Sequence, residues 1–329
     1  GSASAQPFGA YLTNNAGHGY VQLPNAGALN FAGGSFTFEA WVSVTNPHAT
    51  DCITLAGNDF LQSSWIGVCN SGFRSYLSGG SSAFTMGNVP AGDWSHVAVT
   101  FNAATMTRSH YIDGELVGQR VDSGSITTSS SPWRIFSDPS WEFAPAGAID
   151  EVRFWNVART LEQIRSTITS EIGATPGLVA VYKLNGNAND SIGTLHGTRQ
   201  GTANYLTTPV SAGCVSTQNK LCVGPGGRFE VTASFKTSGT SGNAKVVPFQ
   251  TSESGLFTFF SDTNWEVVLK VLNGCPENNR WWVYAGALTD QHVELVVTDL
   301  HHGQTKRYFN YLGSPFNALT DSNAFATCP

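Results

Sequence analysis

Four segments in the first half of the chain, Phe36–Val42, Asp93–Phe101, Tyr111–Val117 and Ile149–Trp155, alternate apolar residues with polar or small ones. Successive side chains leave a strand on opposite sides, so this period of two belongs to strands with one buried face. Asp113-Gly114 lies between the core positions of one such pair and is a hairpin turn signal. The first half is therefore expected to be a β-sandwich. Such a scaffold constrains use far less than it constrains shape.

The chain has 329 residues, a length that suggests two domains. From Tyr11 to Thr208 it reads as short strands separated by Gly, Asn, Ser and Pro clusters, which favours a sandwich over a βαβ layout. One helix is expected at Leu161–Ile168, where Leu161, Ile164 and Ile168 share a face and Thr160 can cap the N-terminus. Leu178–Leu184 returns to strand. Pro209, Ser211 and Gly213 interrupt the pattern between Thr207 and Cys222, which places the domains at residues 8–208 and 209–329. Beyond the break, seven strands are expected, at 228–235, 245–249, 255–260, 266–272, 280–285, 291–299 and 305–309. That number fits a small sandwich of immunoglobulin size.

Charged residues make up 12% of the chain, about half the usual share, and nine Trp are present, a profile suited to a secreted β protein. The net charge of −6 is spread out and no basic run occurs, so nucleic acid is not an expected partner. No apolar run approaches the roughly 20 residues that span a bilayer, so the chain is not expected to be membrane-embedded. The Gly1-Ser2 start is read as a scar left where a signal peptide was removed. Six Cys, with no CxxC pair and no His at zinc-ligand spacing, point to disulfides and an oxidising compartment, outside the cell or in a periplasm. Cys52 and Cys69 can staple successive strands. Of the three pairings open to the other four, Cys214 with Cys222 and Cys275 with Cys328 are expected.

In order and spacing, the Gly92–Phe101 strand, the Tyr111-Ile112-Asp113-Gly114 hairpin and Ile149-Asp150-Glu151-Val152-Arg153-Phe154-Trp155-Asn156 resemble the laminin-G-like or concanavalin-A-like jelly-roll superfamily over roughly residues 8–205. The resemblance implies two large antiparallel sheets, one of them curved. It also implies a structural calcium ion, with Asp150 at the position of the liganding Asp and carbonyls from the turns around Asn14, Gly17 and Gly34. The second half is similar to a small module of secreted bacterial proteins, carried by Gly227–Val231, Val267–Gly274 and Trp282–Thr289. That module brings no activity with it.

Glucan-cleaving members of the superfamily carry acids at i, i+2 and i+4 of one strand, aimed into a cleft. No Glu-x-Asp-x-Glu occurs here, and Asp113 with Glu115 flanks a turn. Serine-elbow, zincin and Walker motifs are also missing. Sugar recognition needs aromatic platforms with polar groups beside them. Trp65, Arg74, Trp133, Asp138 and Trp141 are the candidates. The reading is a secreted, non-catalytic recognition module for a glycan or cell-surface polymer. The alternatives are a structural or adhesive surface protein binding other extracellular proteins, and a polysaccharide hydrolase or lyase with dispersed carboxylates.

Overall fold

Alternation is realised residue by residue in the strand Phe36–Val44. Phe36, Phe38, Ala40, Val42 and Val44 enter the core, while Thr37, Glu39 and Trp41 leave on the other side. The neighbouring strand Trp94–Asn102 does the same with Val97, Val99 and Phe101. Each such side chain contributes about 1.5–3 kcal/mol on burial. The computed structural model describes residues 10–15, 19–44, 52–77, 82–92, 94–140, 146–168, 171–207 and 213–328. They divide between two compact units, one ending at Thr207 and the other running on from Thr208.

Among the described residues, the first unit has two antiparallel sheets. One has eight strands, in the order Glu115–Val121, Thr107–Ile112, Trp94–Asn102, Phe36–Val44, Ala146–Trp155, Ala10–Asn15 and Asn204–Thr207, with Leu178–Tyr182 also paired to Ala146–Trp155. The other has seven: Thr198–Gln200, Tyr20–Gln22, Arg134–Ile135, Cys52–Gly57, Trp65–Cys69, Gly72–Tyr76 and Phe84–Asn88. Their inner faces meet in one core that includes Phe38, Phe73, Phe101, Ile135 and Phe154. The fold is an all-β jelly-roll sandwich. The hairpin at Asp113-Gly114 has φ of +50° and +71°, so both central residues take the left-handed conformation that a two-residue turn of this hand demands.

The helix Leu161–Thr167 is closed by a capping box between Thr160 and Gln163. It lies on the outer face of the eight-stranded sheet, where Ile164 packs with Ala98 and Tyr111. Its C-terminal carbonyls lack intrahelical partners, as at every helix end. Arg153 Nη1 donates to Thr167 O and Trp41 Nε1 to Ile168 O, each at 3.0 Å. Trp41 is thereby enclosed outside the main core.

Among the described residues, the second unit is a sandwich of two five-stranded sheets. One is built on Phe229–Lys236, His292–Asp299 and Gln304–Asn310, with Leu221–Val223 and Ser241–Asn243 beside them. The other runs Lys245–Val246, Ser254–Thr258, Val267–Asn273, Trp281–Ala287 and Leu319–Phe325. The short strands Leu221–Val223 and Ser241–Asn243 and the polar edge strand Leu319–Phe325 are additions to the seven expected. Cysteines pair as Cys52–Cys69, Cys214–Cys222 and Cys275–Cys328.

Candidate functional site

The outer face of the seven-stranded sheet gathers most of the expected ligand-binding residues. Trp65 lies across from Tyr76, and Gly67 across from Arg74. A Cβ on Gly67 would sit 2.4 Å from the Trp65 ring, so the indole lies flat over that glycine. The loop Asn58–Ser64 then folds over the ring. Phe60 contacts both Trp65 and Tyr76 edge-on, and the indole Nε1 donates to Thr54 Oγ1 at 2.8 Å. Trp65 is left 1% exposed and is not a stacking platform.

Asp138 holds that loop in place. Its Oδ1 accepts from Phe60 N at 3.1 Å, Ser140 N at 2.8 Å and Ser140 Oγ at 2.6 Å. Burial raises its carboxyl, against the pull of these hydrogen bonds. Its role is to fasten a loop, not to read a ligand. Arg74 is half-buried and donates from Nε to Thr85 Oγ1 at 2.6 Å, so it stays on the accessible part of the face. Leu61, 66% exposed, forms the tip of the covering loop.

Trp133 departs furthest from expectation. Its ring packs among Phe31, Phe36 and Phe154 in the core, and Nε1 donates to Leu29 O at 3.0 Å. A ring with aromatic partners on several sides contributes more in the core than at a surface. Trp141 lies outside the described residues.

A second cluster lies on the outer face of the eight-stranded sheet. Ile149 and Val152 both enter the core, which a regular strand forbids at a spacing of three. A bulge resolves the conflict: Glu151 takes φ +49° and the register against Phe36–Val44 shifts between Asp150 and Arg153. Two consecutive carboxylates, Asp150 and Glu151, are thereby buried on the same side. Asp150 Oδ1 accepts from Glu151 N at 2.9 Å, and Glu151 Oε2 from Arg153 Nη2 at 3.0 Å. Among the described residues, Asp150 Oδ2 and Glu151 Oε1 have no hydrogen-bond partner. Burial, then the neighbouring Glu151, raises the Asp150 carboxyl well above its ordinary range.

Of the carbonyl donors expected beside Asp150, Asn14 and Gly34 stand away from it. Asn14 stands opposite Gly147, three strand positions, or about 10 Å, from Asp150. Gly34 precedes the strand whose Trp41 is opposite Asp150, and from Phe36 to Trp41 alone is about 16 Å. A calcium ligand must approach to about 2.3–2.6 Å. Gly17 lies outside the described residues. Glu151, the carboxylate that does stand next to Asp150, was signalled in sequence by the broken alternation between Ile149 and Val152.

Neighbouring polar groups complete this layer. Arg159 pairs with Glu39, and His96 Nε2 lies 3.4 Å from the other Glu39 oxygen. Burial alone would raise the Glu39 carboxyl; His96 and the Arg159 charge outweigh it and hold it at about 2. Between the two sheets, away from this layer, the Ser75 hydroxyl meets His110 Nε2 at 2.7 Å, a contact that sequence motifs did not reveal. Both residues are fully buried, so the pair lacks the access of a nucleophilic site.

Residues 15–165 match the sequence profile of the concanavalin A-like lectin/glucanases superfamily. Those residues of the first unit are similar to that superfamily, and the sandwich they build is a jelly roll. No curated protein matches the chain. Among solved structures, a Bacteroides ovatus protein provisionally designated carbohydrate binding is similar at 21% identity over 61% of this chain and 60% of its own, with a TM-score of 0.52. The chain thus spans less than two thirds of that protein's length. The heptameric SAP-like pentraxin of Limulus polyphemus shares 13% identity over 62% of this chain and 97% of its own, with a TM-score of 0.43. The CBM40 of a Ruminococcus gnavus IT-sialidase, solved with α2,3 sialyllactose, shares 13% over 51% and 100%, with a TM-score of 0.39. At such identities the likeness to the Bacteroides protein is one of fold.

Proposed function

We propose that the chain is an extracellular, non-catalytic module that recognises a glycan. The observation that carries this reading is the burial of four acids in the lectin-like first domain. Glu39, Asp138, Asp150 and Glu151 are all at most 1% exposed and engaged with the fold. A glycosidase needs two carboxyl groups facing its substrate. These four do not face solvent, whereas Arg74 lies on the accessible part of the outer face of the seven-stranded sheet. The fold shared with the Bacteroides protein supports the reading, as do three disulfides suited to an oxidising compartment.

The reading includes a structural calcium ion at Asp150 with Glu151 as second carboxylate. Two buried carboxylate oxygens without hydrogen-bond donors support it, because a hard cation satisfies oxygen donors that nothing else reaches. Among the described residues no third carboxylate, His or Cys joins them. Backbone carbonyls or water would complete the set. The ion would neutralise charge beneath the helix Leu161–Thr167 and take no part in binding sugar.

The test is a glycan array probed with the full chain in calcium. Binding confined to one linkage class is expected. Silence across the array, with capture of extracellular matrix proteins instead, would favour the structural or adhesive role.

A further inference from the structure

The second domain has an outer face that the reading above does not use. At its centre Val268 stands opposite Gly286, Lys270 opposite Tyr284 and Leu272 opposite Trp282. These positions share one side of the sheet, because Val267, Leu269, Val271, Trp281, Val283 and Ala285 fill the core on the other. A Cβ on Gly274 would meet the Trp282 indole at 2.1 Å, so the ring lies flat against bare backbone. Its Nε1 donates to Asn278 Oδ1 at 2.8 Å, which fixes it there with one face turned outward. Tyr284 stands 6.1 Å away at 73° to it, with Lys270 Nζ 5.5 Å from the phenol ring.

Past Gly286 the face deepens into a groove of about 440 Å³ bordered by Trp265, Glu266, Leu288 and Phe316. Trp265 is 56% exposed and Leu288 91%. Burying such side chains would gain about 2–3 kcal/mol each, so a contiguous exposed set of this kind marks a binding surface. Charge narrows the occupant. Glu266 in the groove and Lys270 on the face beside it are opposite in sign, which suits a partner with no net charge whose polar groups both donate and accept. The rings ask in addition for an apolar face. A pyranose offers all of this, and the span from Trp282 to Gly286, about 13 Å of strand, has room for more than one.

We propose that this face of the second domain binds a neutral polysaccharide chain, with pyranose rings stacked on Trp265 and Trp282 and hydroxyls bonded to Glu266 and Lys270. This site is separate from the first domain and shares with the preceding reading only its class of ligand. Burial in the groove raises the Glu266 carboxyl, and sugar hydroxyls would join Asn264 Nδ2, which already donates to its Oε1.

The experiment uses the full chain labelled with fluorotryptophan, its Trp265 and Trp282 signals assigned with Trp265→Phe and Trp282→Phe. Cellohexaose, xylohexaose, mannohexaose and chitohexaose are titrated to about 10 mM, which reaches the millimolar affinities of weak sites. With at least one neutral hexaose both signals should move and saturate together. Glu266→Gln should weaken that affinity by about tenfold or more, and Trp265→Ala should abolish it. The proposal is overturned if neither signal responds to any hexaose, or if Trp265→Ala binds as tightly as the parent. It is also overturned if the signals move only with protein concentration, which would make the face a contact between copies. A response confined to first-domain tryptophans would overturn it while leaving the glycan reading of that domain standing.

Discussion

Replacing Asp150 by Asn tests the carboxylate pair beneath the helix Leu161–Thr167. In the parent, two buried and adjacent carboxylates each keep one oxygen without a hydrogen-bond donor. A bound calcium ion at about one hundred times its dissociation constant would stabilise the fold by about 2.7 kcal/mol. For a domain the size of the first unit, about 200 residues, each kcal/mol shifts Tm by about 2–4 °C. The first-domain transition should therefore rise by about 5–11 °C between EDTA and saturating calcium. In Asp150→Asn the isostere keeps the hydrogen bond from Glu151 N but removes a ligand charge, and the shift should shrink to under about 2 °C. The same variant should melt above the parent in EDTA, because one of two like charges in a buried site has gone. Scanning calorimetry of both proteins with and without calcium gives the four values needed. Equal melting points for the parent in EDTA and calcium would refute the reasoning, as would a variant that keeps the full shift.

Three further outcomes are expected. Replacing Cys275 and Cys328 by Ser opens a loop with a sequence separation of 53 and should cost the second domain about 4 kcal/mol, read as a lowered urea midpoint; an unchanged midpoint would contradict the loop-closure account. Trp65→Ala should destabilise the first domain by about 3–5 kcal/mol, as removal of a core ring does, and leave glycan affinity unchanged in the fraction that remains folded; a stable variant with weakened sugar binding would return Trp65 to the ligand. Acid should weaken the first domain in two windows. Burial, then the Arg108 charge, brings His110 down to about 3, below its unfolded value of about 6.5, so the unfolded chain takes up that proton first and stability falls with pH across this range by about 1 kcal/mol per unit. Glu39, held at about 2 by His96 and Arg159 against the effect of burial, adds a loss as pH falls from about 4.3 through 2. A loss between pH 7 and 4 that is the same in His110→Phe as in the parent would contradict the first of these.

The jelly roll was legible because its strands alternate cleanly, and the hairpin because Asp-Gly has one common use. Leu319–Phe325 escaped notice because its Thr320-Asp321-Ser322-Asn323 centre is polar, as an edge strand can be, and offers no period to read. The site was less legible for a different reason. Alternation puts Trp65 on an outer face but says nothing of the loop that brings Phe60 down over it. The same rule puts Trp281 and Trp282 on opposite faces, and the structure has Trp281 in the core at 4% exposure. Its flat seat on Gly274, and the exposure of Trp265 beside a groove, depend on contacts between strands that no local pattern encodes. The bulge at Glu151 is an intermediate case: the spacing of Ile149 and Val152 shows that a bulge must exist, whereas the unpartnered oxygens appear only in three dimensions.

Calorimetric titration of the full chain with a glycan selected from the array, followed by chromatography of the recovered sugar, tests the central claim most directly. The account expects reversible, saturable binding and recovery of the sugar intact. Release of new reducing ends would contradict it by making the protein an enzyme, and the absence of any binding heat would contradict it by removing the glycan.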